Sequence, residues 1–130
     1  MRLSDILQFF KSSDIGFDHY YIGRLNNKKD MSLGIYNLRG VTGEYMAIGG
    51  EACTKSKSKY LSLLIHGNKS KAQTETLALN TYDYLKKLRD GKVGQNEINY
   101  IQMLCDEPID VDVDDNGIYE YVIELRLYYN

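Results

Sequence analysis

The chain has 130 residues, 16 basic and 18 acidic, giving a formal charge of −2, with two cysteines, one proline and no tryptophan. That length suits one domain able to bury roughly two-thirds of its unfolded surface without a disulfide or metal staple. The near balance of charge removes any general electrostatic reason to bind nucleic acid or a membrane surface.

No apolar run approaches the roughly 20 residues needed to span a bilayer. Ser4, Asp5 and Gln8 interrupt the first stretch, MRLSDILQFF, where a secretory segment would be continuously apolar. A soluble chain with reduced Cys53 and Cys105 is therefore expected. Twelve tyrosines point to a sheet that meets something, because tyrosine joins a large apolar body to a polar tip.

In chain order, Leu3, Ile6, Leu7 and Phe10 recur at helical spacing behind Ser4, which predicts a short helix over about 4–12 with Ser4 as its cap. HYYIGRL and SLGIYNL follow as strand-like runs around a polar NNKKDM turn and read together as a hairpin. Residues 39–59, RGVTGEYMAIGGEACTKSKSK, are rich in glycine and serine, with strand character only in EYMAI. Long irregular segments in compact domains tend to be functional or to order on assembly, so this one is expected to be flexible in the isolated subunit. YLSLLIHGN alternates again, with Leu61, Leu63 and Ile65 on one side, and reads as an interior strand.

Ser70 followed by Gln73 forms a capping-box pattern, so a helix is expected from about Lys71. Leu77, Ala78, Thr81, Leu85 and Leu88 make its apolar stripe, Lys86, Lys87 and Arg89 suit the negative end of its dipole, and Gly91 supplies a stop. NEINYIQML and the runs 109–113 and 118–129 complete the strands. The order describes a single α+β domain over residues 1–130, a mainly antiparallel or mixed sheet with two helices packed on one side.

DVDVDDNGIYEY invites two readings. In the register that starts at Asp112, Asp114, Asn116 and Gly117 satisfy the first half of a calcium loop, but the twelfth position, where a bidentate Glu should stand, is Ile123. The hairpin reading uses every residue: Ile109, Val111 and Val113 face the core, Asp110, Asp112 and Asp114 face solvent, and Asn116-Gly117 makes the turn. Tyr119, Tyr121, Ile123, Leu125 and Leu127 would then lie inward. The hairpin is favoured, and the aspartates become an acidic surface that repels phosphate.

His66 lies between a strand and a helix in IHGNKS, yet Gly67 stands alone where a phosphate loop needs several glycines. With only His19 and His66 and no nucleophile-elbow pattern, no catalytic, cofactor-binding or metal-binding residue is expected. Lys55, Lys57 and Lys59 alternate on one side of CTKSKSKY and, with Tyr45, are candidate contacts for a partner.

Taken together, LGIYNL, YMAIGG, LSLLIHGNKS, AQTETLALNTYDYL and DNGIYEYVIELRLYY resemble the minor capsid proteins of long-tailed bacteriophages that act as tail terminators. The resemblance spans nearly the whole chain and lies in the order of strands, turns and helix, not in a catalytic signature. One departure is Gly67, where members of the family often carry an aromatic residue after the histidine. The resemblance implies a non-enzymatic virion protein, made in the bacterial host cytoplasm and placed at the head-tail junction. There it forms a homo-oligomeric ring of six, caps the tail tube protein, ends polymerisation and meets the head connector. DNA then passes nearby without sequence-specific binding, with Asp110, Asp112, Asp114 and Asp115 facing the channel or an adjoining ring. The alternatives are an adaptor or scaffold domain without a ring, and a small nucleotide-binding enzyme using the turn at Gly67.

Overall fold

The computed structural model describes residues 1–23, 29–38 and 57–130. Two helices and seven strands follow in the order α1 (Leu3–Ser13), β1 (His19–Ile22), β2 (Ser32–Asn37), β3 (Lys57–His66), α2 (Lys71–Lys87), β4 (Lys92–Val93), β5 (Asn96–Met103), β6 (Ile109–Val113) and β7 (Tyr119–Tyr129). The strands form one mixed sheet in the order β1-β2-β3-β7-β5-β4, with β6 paired to β7 beside that path. The α+β class follows. Tyr45, Lys55 and the strand-like EYMAI lie outside the described residues, as does most of 39–59, but Lys57 and Lys59 belong to β3.

The core is the helix-side face of β3 and β7. Leu61, Leu63 and Ile65 are at most 1% exposed, and the alternating Tyr121, Ile123, Leu125, Leu127 and Tyr129 of β7 are all buried with them. Tyr119 is half-buried at the end of that row. These two strands pair antiparallel along their whole length, from Lys57 opposite Tyr129 to His66 opposite Glu120. Ile6 and Phe10 of α1 and Leu77, Ala78 and Leu85 of α2 join the same cluster, so both helices cover one side of the sheet. A cross-tie from the Tyr84 hydroxyl to Ser13 Oγ, 2.9 Å, links the two helices.

Four local expectations are corrected. Helix α1 starts two residues earlier than the Ser4 cap predicts: Arg2 is the N-cap, and the Asp5 carboxylate reaches back to accept from the Arg2 backbone N–H at 3.3 Å. The expected hairpin of β1 and β2 is a parallel pair, His19 opposite Ser32 and Ile22 opposite Ile35. Hydrophobic periodicity is blind to strand direction, which is why the error was available.

At α2 the capping prediction holds in half: Ser70 Oγ accepts from the Gln73 backbone N–H at 3.3 Å, but the Gln73 side chain accepts from Asn68 Nδ2 at 2.8 Å. Gly91 is not the stop. The helix ends on an extended Leu88, and the left-handed position after it is Asp90 with φ of 60°. In β5 a bulge between Ile98 and Tyr100 adds one residue against β7, and this turns both Ile98 and Ile101 into the core despite their odd spacing.

Candidate assembly surface

The acidic stretch does not fold as its alternation suggests. Ile109 stands opposite Val122, Asp110 opposite Tyr121 and Val113 opposite Tyr119, so β6 carries one extra residue between Asp110 and Val113. Paired residues share a face, and Tyr121 faces the helices. Asp110 therefore points to the helix side, and Ile109 to the other, the reverse of the expected arrangement. Neither face is covered: Ile109, Val111 and Val113 are 39%, 43% and 43% exposed. Among the described residues β6 has no second strand neighbour, which leaves its outer backbone edge open. The bulge turns on Asp112, held at φ of 68°, a left-handed conformation that aspartate tolerates better than most residues.

The turn is longer than a two-residue Asn-Gly hairpin. It spans 114–118, and Asp114 organises it: Oδ1 accepts from the backbone N–H groups of Asn116 and Ile118 at 2.8 and 3.0 Å, while Gly117 takes a φ of 79°. The Asp114 side chain is only 8% exposed and lies beside His66, so it does not contribute a surface charge as expected. Asp110, Asp112 and Asp115 are exposed.

Asp110 is paired. Its Oδ2 accepts from Lys71 Nζ at 2.5 Å, and its Oδ1 from the Asp112 backbone N–H at 2.8 Å. The lysine hydrogen bond comes first in holding the Asp110 carboxyl below its ordinary range, and the same bond raises Lys71. The Lys71 ammonium also sits 5.2 and 5.8 Å from the ring centres of Tyr119 and Tyr121. Burial pushes the Tyr121 phenol up. Between α2 and β6 runs a groove of about 680 Å³, lined by Leu79, Pro108 and Ile109 and by the carboxylates of Glu75, Asp106, Glu107 and Asp110. Four carboxylates give the groove an acidic character, and Leu79 in its lining is 44% exposed.

At the other end of β7, Lys57 is exposed and Lys59 half-buried, on the face that carries Leu61. Lys57 and Lys59 pair with Tyr129 and Leu127, which are eight and six strand steps from Tyr121, so the lysines lie about 20–26 Å from the acidic groove. The face of the sheet away from the helices carries a ladder that sequence reasoning missed. The Arg126 guanidinium lies 4.8 Å from the Tyr60 ring centre and 4.7 Å from that of Tyr128, and Tyr100 stacks on Tyr128 at 4.6 Å. The only signal in the chain was the alternation of Tyr and Arg on the off-core side of the last strand.

The Gly67 turn is a packing device. A Cβ there would stand 2.2 Å from Thr74 Oγ1, so the first turn of α2 occupies the space of a side chain. Asn68 Oδ1 accepts from the Ser70 N–H at 2.8 Å, which together with the Ser70 cap engages two of the backbone donors at this helix start. Cys105 is a free thiol. No helix of the described residues is long and apolar enough to cross a membrane.

No curated protein matches the chain in sequence comparison. The family model described as bacteriophage tail terminator protein matches residues 3–130, from the first residue of α1 to the last of the chain. That family is one of structural phage tail proteins and not of enzymes, and membership makes the protein a component of the virion. A match over residues 3–130 places the chain in the bacteriophage tail terminator family.

Proposed function

We propose that the protein closes the phage tail tube as an oligomeric ring, of six subunits as the resemblance implies, ending tube polymerisation and presenting a joining surface to the head. The observation that carries this reading is the β6 edge: an open strand with Ile109, Val111 and Val113 each more than a third exposed, beside an acidic groove. An edge strand presents unpaired backbone groups to which another chain can add, and here three exposed apolar side chains accompany it, while its bulge and aspartates restrict which chain fits. The opposite placement of Lys57 and Lys59 suits a head-to-tail contact, in which one subunit's groove receives its neighbour's basic end. Repeated contacts of that kind close into a ring where the rotation between neighbours closes.

The tail tube protein and the head connector are the expected partners, and the head-tail junction the expected location. In this arrangement Asp112 and Asp115, at the exposed tip, face the channel or the adjoining ring. Clustered negative charge there keeps passing DNA from adhering.

Light scattering across concentration, with and without tail tube protein, followed by electron microscopy, tests the ring. Wild-type protein should form a closed particle. Val111→Lys should stay monomeric while melting like wild type, because the side chain is exposed in the subunit. A closed particle from the variant would remove β6 from the interface, and monomers in every mixture would end the ring proposal. Asp112→Asn with Asp115→Asn should complement a terminator-deficient phage poorly, and wild-type titres with normal DNA ejection would withdraw the acidic tip's role.

A further inference from the structure

His66 ends β3, Asp114 opens the β6–β7 turn, and Glu120 lies in the first residues of β7. His66 lies 54 residues before Glu120 in the chain, yet one ligand atom from each of the three falls within 4.8 Å of the other two. His66 Nδ1 is 2.8 Å from Glu120 Oε2 and 3.8 Å from Asp114 Oδ2. The three side chains are 1%, 19% and 8% exposed, for His66, Glu120 and Asp114 respectively. Strand register makes the pairing: His66 and Glu120 are directly opposed on β3 and β7, on the face away from the helices.

We propose that His66, Asp114 and Glu120 form a binding site for a divalent first-row transition metal, with Zn²⁺ the best fit. Metal–ligand distances of about 2.0–2.1 Å in a tetrahedral site set neighbouring ligand atoms about 3.3 Å apart. The two separations from His66 Nδ1, 2.8 and 3.8 Å, bracket that figure. The charges agree as well, since two largely buried carboxylates beside one imidazole carry a charge that one dication cancels. An imidazole in the set favours zinc-like ions over calcium or magnesium, which prefer oxygen alone. Orientation is already built in, because the Asn116 and Ile118 amides hold Asp114 Oδ1 and leave Oδ2 on the His66 side. Water completes the coordination from the side of Glu120, the most exposed of the three. The ion would tie the end of β3, the turn and the start of β7 together, which fixes the tip of the β6–β7 hairpin.

This is not the calcium loop suggested by the spacing of Asp112, Asp114 and Asn116, and the two are separable. Chelator-stripped full-length protein is titrated with ZnCl₂ and with CaCl₂ by calorimetry, and its melting followed. Zinc should bind at one ion per chain and, near saturation, raise the melting temperature by about 5 °C or more, whereas calcium should do neither. Asp114→Asn keeps an acceptor for the turn amides, and Glu120→Gln keeps one for the imidazole. Each should nevertheless lose zinc affinity by at least about tenfold, while Asp112→Asn retains it. Absence of zinc uptake by the wild type overturns the proposal, as does unchanged affinity in both ligand variants or an equal loss in Asp112→Asn. Should a variant not fold, the ¹⁵N imidazole resonances of wild-type His66 decide. A zinc-dependent change at Nδ1 supports ligation, and unmoved resonances at saturating zinc exclude it.

Discussion

Strands β3 and β6 carry the same kind of pattern and meet opposite fates. Leu61, Leu63 and Ile65 alternate with Ser62, Leu64 and His66 and vanish into the core, whereas Ile109, Val111 and Val113 alternate with aspartates and stay more than a third exposed. The difference lies in neighbours. β3 is flanked by β2 and β7 and covered by helices, while β6 adjoins β7 alone among the described residues. It also carries a bulge that breaks its alternation at Asp112. Alternation states which residues share a face, and only the position of a strand in the sheet states whether that face meets a core.

The comparison is easiest to break with alanine. Leu63→Ala removes a wholly buried side chain and should cost about 2–5 kcal/mol in urea unfolding. Val111→Ala in the isolated subunit should stay within about 0.5 kcal/mol of wild type, as exposed sites do. Equal costs at the two positions would show that β6 is covered after all.

A similar contrast separates the glycines at the two ends of the β3–α2 and β6–β7 connections. Gly67→Ala drives a methyl group into Thr74 and should destabilise by about 1–3 kcal/mol. Around Gly117 a Cβ meets nothing within 4 Å, so only its left-handed backbone resists substitution, and Gly117→Asn should cost less than Gly67→Ala. A reversal of that order would mean that the α2 turn relaxes more readily than the hairpin tip.

The bulge itself offers a smaller test. Asp112→Gly removes a side chain from a left-handed position and should be neutral or stabilising by up to about 1 kcal/mol, whereas Asp112→Val should destabilise. If valine is tolerated as well as glycine, the bulge is not what sets the register of β6.

The smallest effect concerns pH. The Asp110 carboxyl is held below its ordinary range by Lys71, so the pair contributes stability above the unfolded carboxyl range and loses it as pH falls through the lowered value. Lys71 is raised, so on the alkaline side its share is present below the ordinary lysine range and fades as pH climbs through the raised value. Both groups are open to solvent, and the contribution is correspondingly slight. Asp110→Asn should make the melting temperature fall slightly less between neutral and acid pH than in wild type. An acid limb steeper than wild type would contradict the pairing.

Much of the frame was legible in the chain. The stripe Leu77, Ala78, Thr81 and Leu85, the Ser70 cap and the inward row of β7 all fell where local periodicity and capping chemistry put them. These are properties of residues within a few positions of one another, and a helix turn or a pleat expresses them wherever the element lies. The α+β class and the tail terminator family followed from the order of such elements.

What the tertiary structure alone decided depends on partners distant in sequence. Parallel pairing of β1 with β2, the extra residue in β6, and the placing of Asp110 beside Lys71 are matters of register, and a slip of one residue exchanges the faces of a strand without altering its composition. The meeting of His66 with Glu120 is of the same kind, since two residues far apart in the chain become neighbours only when β3 and β7 pair at one offset. Local sequence determined which segments are helix or strand, because their hydrogen bonds and side-chain periods are local. The acidic groove and the His66 cluster arose from the packing of those segments, because their atoms are brought together by long-range strand pairing.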